Sequence, residues 1–534
     1  AVGAELMLTA SKGLLHLPHA IHPSIMRSYA QRHDRATEAW ITHQIQAAGG
    51  IGSSLPPPIT LNMPQRTVAF LPIRASGMGI PSLLAATDAG LYTAGIYACR
   101  AHLATQRAYR VLAIVDTSIR ADATTIDAIL TAFHAHPHIQ AAAAVPNANG
   151  HATHPSNVPA STTHLIGYKG RRVPSRLTLN LTKAYEQARV AYMAREAAKL
   201  PSTGTHTDIA SRCIAAWASN RNENLIGGTA AFNLRATRRA QRLSKAAYII
   251  LLTSTLGLPP PGAYLAVGAT CCGRTTDAYH PHSCTAKGKA HVHDAVRTCH
   301  CHLNTCHPNN SGIRQLSVEA RGKNFLNGAA GQGGPDACIL DSNNLPTHLD
   351  YSGYNPFTQE HIRRALAQTT LEDRTKYTTA NDQTRTNTRL DHQPAQQKDS
   401  VSARDATKMS GKDAAAAHAA GDRFLPLTFS HNGGLSVTFH RLLERTFIRA
   451  PTHAARWRYG CPSMSQAAVS ILRATILNAV AANMMSNYEC MFRKAGITEA
   501  NSAFNMWSDA RFPAAAPTLA EFLNWMPSTE PPDD

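Results

Sequence analysis

Four side chains that ligate soft metals lie close together in the stretch CCGRTTDAYHPHSC. They are Cys271, Cys272, His280 and Cys284. Structural zinc takes four thiolate or imidazole ligands in a tetrahedron, and a short loop followed by a helix or turn can supply all four. The residue types fit and the spacing nearly fits. The sequence therefore predicts a structural zinc ion bound between residues 271 and 307.

The choice of these four ligands has alternatives, because two adjacent cysteines chelate one ion less easily than two cysteines separated by one or two residues. His282 could replace one of the first two thiols. Cys299, Cys301 and Cys306 could complete this site or form another one. The competing interpretation is that these side chains are ordinary thiols without a metal.

Two aspartates further along the chain could hold a second, harder metal ion. Asp336 follows a Gly-Gly-Pro turn and precedes the apolar run CIL, and Asp350 lies in the next extended run, THLDYS. A hairpin of this size brings Asp336 to the end of one strand and Asp350 onto its partner. Lys376, on a helix expected from Gln359 to Tyr377, could reach the same edge. Two carboxylates with a lysine could bind Mg²⁺ and cut a phosphodiester, although such a set is also common on protein surfaces.

The charge balance indicates a polyanionic partner. The chain has 52 Lys and Arg against 34 Asp and Glu, a formal net charge of +18. We expect nucleic acid, as a DNA target, RNA or both, with a ribonucleoprotein assembly as a further candidate. Five cations spaced by three and four on a helix expected from Arg235 to Thr253 could face phosphates, or they could form a merely solvated face. These cations are Arg235, Arg238, Arg239, Arg242 and Lys245.

Other sequence features exclude a membrane partner and favour a reducing compartment. The apolar run near 246–258 is interrupted by Thr and Ser and is too short to span a bilayer. The first residues lack the basic start and continuous apolar core of a secretory signal. Eleven cysteines, an odd number clustered beside histidines, indicate reduced thiols and zinc rather than disulfides. We therefore expect the nucleus or the cytoplasm.

Hydrophobic spacing predicts several helices. Residues 25, 29, 33, 36 and 40 (Ile, Tyr, His, Ala, Trp) share one helical face, which we expect to be buried. Further helices are expected at 176–200 and within SMSQAAVSILRATILNAVAANMMSNYECMFRKA. FLPLTFSHNGGLSVTFHRLLERTF predicts a strand, a glycine turn and an amphipathic helix.

At 534 residues the chain is long enough for several domains. The expected units, in chain order, are a helical region at 1–132, a low-complexity linker at 133–175, a helical basic region at 176–262, the zinc knuckle at 263–310, an α/β domain at 311–450 with a disordered or flexible polar insertion at 378–422, a helical region at 451–526 and a tail at 527–534.

The order of these motifs resembles the C-terminal half of site-specific non-LTR retrotransposon reverse transcriptases that carry a restriction-like endonuclease. An earlier turn resembles the thumb of those enzymes, and PLTFSHNGGL resembles the segment after their nuclease. The thumb-like residues are Leu71, Pro72, Gly77, Gly79 and Ile80. The features after the knuckle are His293 with Asp294, Glu319, Pro335 with Asp336, Asp350, and Lys376 with Tyr377.

This resemblance implies a multidomain protein with a mostly α thumb-like region, a small zinc knuckle, an α/β restriction-endonuclease-like domain and an α-helical C-terminal region. It implies that Asp336 and Asp350 hold Mg²⁺ or Mn²⁺, that Lys376 is the catalytic lysine and that Glu319 is an accessory acid. In the family the endonuclease nicks target DNA, and the freed 3′-hydroxyl primes reverse transcription, while the knuckle helps grip nucleic acid.

The sequence departs from the family pattern in three places. Val292 stands where an Arg usually precedes the His-Asp pair, the first two knuckle cysteines are adjacent, and the apolar-flanked Asp-Asp pair of a polymerase palm is absent from the sequence. The chain is therefore not itself a polymerase. Both an active endonuclease and an inactive zinc-containing scaffold that binds RNA or DNA, for example in a ribonucleoprotein, stay open.

Overall fold

A computed structural model describes residues 14, 23–49, 60–87, 131, 177–200, 206, 208–221, 225–234, 241–260, 262–284, 290–306, 314–318, 335–340, 345–367, 400–447, 449, 455–456 and 461–496. In these residues the protein is mostly helical, with two small sheets. Glu319 and the expected Lys376–Tyr377 pair lie outside the described residues, as do Arg235, Arg238 and Arg239. The expected domain boundaries remain predictions.

The helices are α1 (Pro23–Gly49), α2 (Met63–Phe70), α3 (Leu177–Lys199), α4 (Ile209–Asn220), α5 (Lys245–Thr255), α6 (His280–Ser283), α7 (Ala290–Cys306), α8 (Ser400–Met409), α9 (Lys412–Ala419), α10 (Val437–Thr446) and α11 (Met464–Lys494). Residues 83–87 and 359–367 are also helical. The strands are β1 (Leu225–Ile226), β2 (Thr270–Cys271), β3 (Arg274–Thr275), β4 (Arg314–Val318), β5 (Ala337–Leu340), β6 (Pro346–Tyr354), β7 (Arg423–Ser430) and β8 (Leu435–Ser436).

The larger sheet has six strands in the order β1-β8-β7-β6-β5-β4. β4, β5 and β6 form an antiparallel meander, whereas β6 and β7 run parallel. The chain between these parallel strands includes the helical residues 359–367 and helices α8 and α9, since parallel neighbours need a crossover connection. One face of β6 therefore meets α8, and the opposite face meets α7.

The two faces of β6 carry different chemistry because successive side chains in a strand point to opposite sides. Leu349 and Tyr351 are buried with Phe439 of α10 in the main apolar core. Asp350 and Ser352 point to the other face, where side chains of α8 contact them. The strand thus separates a packed core from a polar site.

Helix α11 supports much of this arrangement. It contacts α5, α6, α7, α10 and β2, and its buried side chains belong to the same core as the sheet. Its length and composition would also allow a membrane span, but 56% of its most apolar window is buried inside the protein. It behaves as the central core helix of the described residues.

The thumb-like turn is compact and depends on glycine. Gly77 donates its N–H to the carbonyl of Pro72 at 3.1 Å, and Gly79 donates to that of Leu71 at 2.8 Å. A Cβ on Gly77 would lie 2.2 Å from the Leu71 carbonyl oxygen, so a larger residue would displace the backbone. Asp34 of α1 accepts the Leu83 N–H at 2.9 Å and so fixes the start of the helical residues that follow this turn.

Helices α1, α3 and α11 and the β7–β8–α10 segment confirm their predictions, but three details were wrong. In α1 the buried side runs through Met26, Ala30 and Ile41, whereas Tyr29 is 40% exposed and Trp40 is only partly buried against the main core.

The other two errors concern polar segments. Residues 400–422, expected to be disordered, contain α8 and α9, whose few small apolar side chains pack on the sheet. The helix expected from Arg235 instead begins at Lys245, because the Ser244 side chain caps it by accepting the Ala247 N–H at 3.0 Å. Exposed Arg242 precedes this helix, so Arg242 and Lys245 do not share a helical face.

Candidate metal centres

The β2–β3 hairpin brings the adjacent cysteines of the knuckle to one site. Its two-residue turn, Cys272-Gly273, has positive φ at both positions (46° and 75°), as a type I′ hairpin turn requires. Cys271 stays in the strand while Cys272 turns back beside it. The left-handed conformation of Cys272 therefore allows neighbouring residues to serve one centre, which spacing alone made doubtful.

The short helix α6 supplies the other two ligands. The N–H of Cys284 donates to the carbonyl of His280 at 2.8 Å, which sets their side chains on the same side of the turn. The ligand atoms of all four residues, Cys271, Cys272, His280 and Cys284, lie within 4.8 Å of one another. The structure thus brings together the four residues that the sequence singled out.

The separations within this cluster match a tetrahedral zinc site. Zinc bonds of about 2.3 Å to sulfur and 2.0–2.1 Å to nitrogen give ligand separations of about 3.8 Å for S–S and 3.6 Å for S–N. The Sγ atoms of Cys271 and Cys284 are 3.7 Å apart, and Sγ of Cys272 is 3.5 Å from Nε2 of His280. Burial lowers the pKa of His280, which keeps its imidazole neutral and available as a ligand. The cluster could bind a metal such as zinc.

The alternative ligands lie elsewhere. His282 is buried against the ring of Phe357, with ring centroids 4.8 Å apart. Sγ of Cys299, on α7, accepts a hydrogen bond from the hydroxyl of Thr475 at 3.4 Å. In the part of the chain that the structure describes, the knuckle is the one group of three or more Cys, His and carboxylate side chains whose ligand atoms all lie within 4.8 Å of one another.

A fourth thiol, which the sequence pattern gave no reason to select, lies beside the cluster. Sγ of Cys490 on α11 is 3.5 Å from Sγ of Cys271. Two side-chain amides tie the loop to its surroundings: Asn487 of α11 donates to the carbonyl of Pro281 at 3.0 Å, and Asn355, after β6, donates to the carbonyl of His282. The knuckle is therefore fastened both to helix α11 and to the larger sheet.

The second candidate centre forms at the end of β5. Asp336 and Asp350 are 8% and 7% exposed, and each carboxyl group affects the pKa of the other. The N–H of Tyr351 donates to Oδ2 of Asp336 at 2.7 Å. The hairpin predicted from the turn chemistry is present, and it places the two carboxylates together.

Helix α7 contacts the first carboxylate. Nε2 of His293 lies 2.9 Å from Oδ2 of Asp336, and Nδ1 lies 3.2 Å from Asp294. Arg297 is farther away, at 3.9 Å from Asp336. Burial alone would raise the pKa of Asp336, but the hydrogen bonds from His293 and Tyr351 outweigh it and lower that pKa. Asp336 is held as a carboxylate.

Helix α8 contacts the second carboxylate. Nζ of Lys408 donates to Oδ1 of Asp350 at 2.8 Å. Burial raises the pKa of Asp350 to about 6; Lys408 opposes that rise and the neighbouring Asp336 adds to it. The two aspartates are therefore unequal, because one is stabilised as an anion while the other takes up a proton readily.

No protein-family model matches the chain, and no curated protein matches it. Function must therefore be argued from the two centres themselves.

Lys408 is the residue that sequence reasoning missed. It lies in the segment expected to be disordered, whereas Lys376, which the family resemblance selected, lies outside the described residues. One local signal was present: SVSARDATKM has no Gly or Pro and places Val401, Arg404 and Lys408 at helical spacing. That signal indicates a helix, but it does not indicate that the helix returns to Asp350.

Proposed function

We propose that this chain is a divalent-metal-dependent endonuclease that nicks DNA, with Asp336, Asp350 and Lys408 acting together. The observation that carries the proposal is the meeting of two nearly buried carboxylates with one ammonium group beside the interior strand β6. Protein folding gains little from placing two carboxylates side by side away from water, whereas a divalent cation needs them. Neighbouring carboxyl groups with pKa values shifted in opposite directions are typical of functional sites.

In this proposal each residue has a separate role. Asp336 and Asp350 would hold Mg²⁺ or Mn²⁺, which supplies Lewis-acid polarisation of the phosphodiester and a more acidic bound water. His293 orients Asp336 from α7. Lys408 would leave Asp350 when the cation binds, and its charge would then stabilise the anionic phosphorus centre or orient the attacking water.

We also propose that the chain descends from retrotransposon endonucleases, a proposal that the order of its motifs supports. The knuckle loop is tied to the end of the strand that carries Asp350, because Asn355 donates to the carbonyl of His282. This link suits a protein in which a zinc-stabilised loop and a nuclease core approach one stretch of nucleic acid. The basic net charge of +18 supports such a partner.

Nicking of supercoiled plasmid with Mg²⁺ or Mn²⁺ tests the endonuclease. The wild-type protein should convert plasmid to open circles, and Asp336→Ala should not. Asp413→Ala, on α9 outside the site, is the matched control and should nick like the wild type. If wild type and Asp336→Ala behave alike, catalysis by this site is wrong.

One observation favours the second candidate, an inactive scaffold that binds RNA or DNA. His293 contacts Asp336, and Lys408 contacts Asp350. The negative charges of the two aspartates are therefore partly balanced without a cation. In that case RNA or DNA binding that weakens with salt would survive the loss of Asp336 and Asp350, and cleavage would be absent from the wild type too.

A further inference from the structure

A half-open cleft of about 480 Å³ adjoins the carboxylate site. His293, which contacts Asp336, forms part of its wall, so the cleft opens directly beside the two aspartates. Ser352, His361, Arg404 and His431 also line it. Its volume is in the range of pockets that hold small ligands, and a single nucleotide is a ligand of that size.

Two pairs of side chains join β6 to α8 beside this cleft. In the first pair, Lys408 donates to Asp350 at 2.8 Å. In the second, Nη1 of Arg404 donates to the hydroxyl oxygen of Ser352 at 3.2 Å. The pairs repeat because residues two apart in a strand and four apart in a helix both return to one face. The second pair differs from the first in one respect: its strand residue is neutral.

Asp350 balances the positive charge of Lys408, whereas neutral Ser352 does not balance that of Arg404. Among the described residues, no carboxylate lies within ion-pair distance of Arg404, and its Nε is buried without a hydrogen-bond partner. Glu360 also lines the cleft, but Arg364 holds its carboxylate at 2.7 Å. Nε and the free terminal nitrogen of an arginine form the edge that binds a phosphate through two hydrogen bonds.

From this geometry we infer that the cleft is a phosphate subsite in which Arg404 binds the phosphate next to the one at Asp336, Asp350 and Lys408. Arg404 and Lys408 are one helical turn apart, about 6 Å along α8. That spacing resembles the separation of neighbouring phosphates on one nucleic acid strand. The subsite rests on the proposed function, because it assumes that a strand crosses the carboxylates, and it adds that the strand is gripped at two consecutive phosphates.

Thymidine 3′,5′-bisphosphate and thymidine 5′-monophosphate test the subsite, because they differ by one phosphate. Their dissociation constants are measured by calorimetry with Ca²⁺ on the full chain. The wild type should bind the bisphosphate about tenfold more tightly, the gain expected from one charge-assisted contact. Arg404→Gln should lose that preference and keep its affinity for the monophosphate.

Arg363→Gln is the matched control, since Arg363 is an exposed arginine of the helical residues 359–367 that does not line the cleft. It should keep the tenfold preference. Arg404→Lys keeps a cation but lacks the two-donor edge, so it should retain part of the preference for the bisphosphate. This variant also provides a test if Arg404→Gln does not fold. Equal binding of both nucleotides by the wild type, or an unchanged preference in both Arg404 variants, overturns the subsite.

These outcomes are separate from the fate of the endonuclease. A wild type that prefers the bisphosphate and does not nick plasmid keeps the subsite and overturns the endonuclease. A wild type that nicks plasmid but binds both nucleotides equally keeps the endonuclease and overturns the subsite. If neither nucleotide binds, the phosphate subsite is wrong.

Discussion

The ammonium group of Lys408 lies 2.8 Å from the carboxylate of Asp350, although 58 residues separate them in the chain. The parallel pairing of β6 with β7 makes this contact possible, because α8 belongs to the crossover between the two strands. The lysine of the candidate site thus comes from the connection between strands.

Lys408→Ala should reduce nicking by about 10²-fold or more, because the site would lose its one contacting ammonium group among the described residues. The initial rate of plasmid relaxation measures this. Lys199→Ala removes an exposed lysine of α3 that pairs with Glu196 at 2.6 Å rather than with either aspartate, and it should leave the rate unchanged. Full activity in Lys408→Ala together with loss in Lys376→Ala would return the role to Lys376.

Calcium binding should weaken as the pH falls through about 6. Burial, together with Asp336, raises the pKa of Asp350 to that value, so protons compete with the cation below it. Calorimetric titrations from pH 5 to pH 8 should show up to about tenfold lower affinity per pH unit at the acidic end. Asp350→Asn should bind weakly at every pH. An affinity that does not change over this interval would contradict the role of Asp350.

The two aspartates should affect metal-free stability in opposite directions. The pKa of Asp350 is raised, so its contribution to stability is present below its ordinary value of 3.8 and is lost as the pH rises through about 6. Asp350→Asn should therefore raise the free energy of unfolding at pH 7 by about 0.5–2 kcal/mol, with a smaller gain at pH 4.

Asp336→Asn is the matched comparison for that measurement. The pKa of Asp336 is lowered, so its contribution is present above 3.8 and is lost as the pH falls below that value. Its variant should be less stable than the wild type at pH 7. Urea unfolding of the metal-free proteins at both pH values checks the two signs. Equal changes in the free energy of unfolding for the two variants at pH 7 would contradict the opposite pKa shifts of the two carboxyl groups.

Purified protein should carry one zinc ion per chain, and Cys284→Ser should lose it. The ligand separations of 3.7 Å and 3.5 Å already suit the ion, so loss of one thiolate leaves only three ligands. Elemental analysis by mass spectrometry gives the stoichiometry. Cys490→Ser is the control and should keep the zinc, because Cys490 contacts the cluster without being one of the four. Absence of zinc from the wild type would rule out the knuckle as a zinc site.

Gly77→Ala should destabilise the protein by more than about 2 kcal/mol, because its Cβ would lie 2.2 Å from a backbone oxygen. Gly268→Ala separates steric conflict from backbone strain: its φ is +89°, but a Cβ there would meet nothing within 4 Å. That variant should cost only about 1 kcal/mol. Thermal unfolding measures both. Similar midpoints for Gly77→Ala and wild type would mean that the turn can relax.

Local chemistry explains what the sequence could predict. The hairpin that joins Asp336 to Asp350 follows from one turn between two apolar runs, and the knuckle ligands all fall within fourteen residues. The long apolar periodicity of α11 is also a local signal. In each case the residues that meet are close in the chain, or one strong period determines the element.

The missed features depend on contacts between distant segments. Cys490 is 219 residues from Cys271, and no spacing rule connects them. Helix α8 has few apolar residues, so its composition resembles that of a disordered segment until the sheet provides a surface for Val401. The capping of α5 by Ser244 was a local signal, but the run of arginines before it suggested a longer helix.

The 31 residues of α11 form a helix about 46 Å long. This helix contacts β2 and α6, which carry the knuckle ligands, and α7, which carries His293. A copy of the gene interrupted before residue 464 would encode the knuckle ligands, both aspartates and Lys408, yet its product would lack the surface on which α5, α7 and α10 pack. The exposed apolar faces would make the shortened product a substrate for proteases. An intact reading frame through α11 is therefore needed for the described fold.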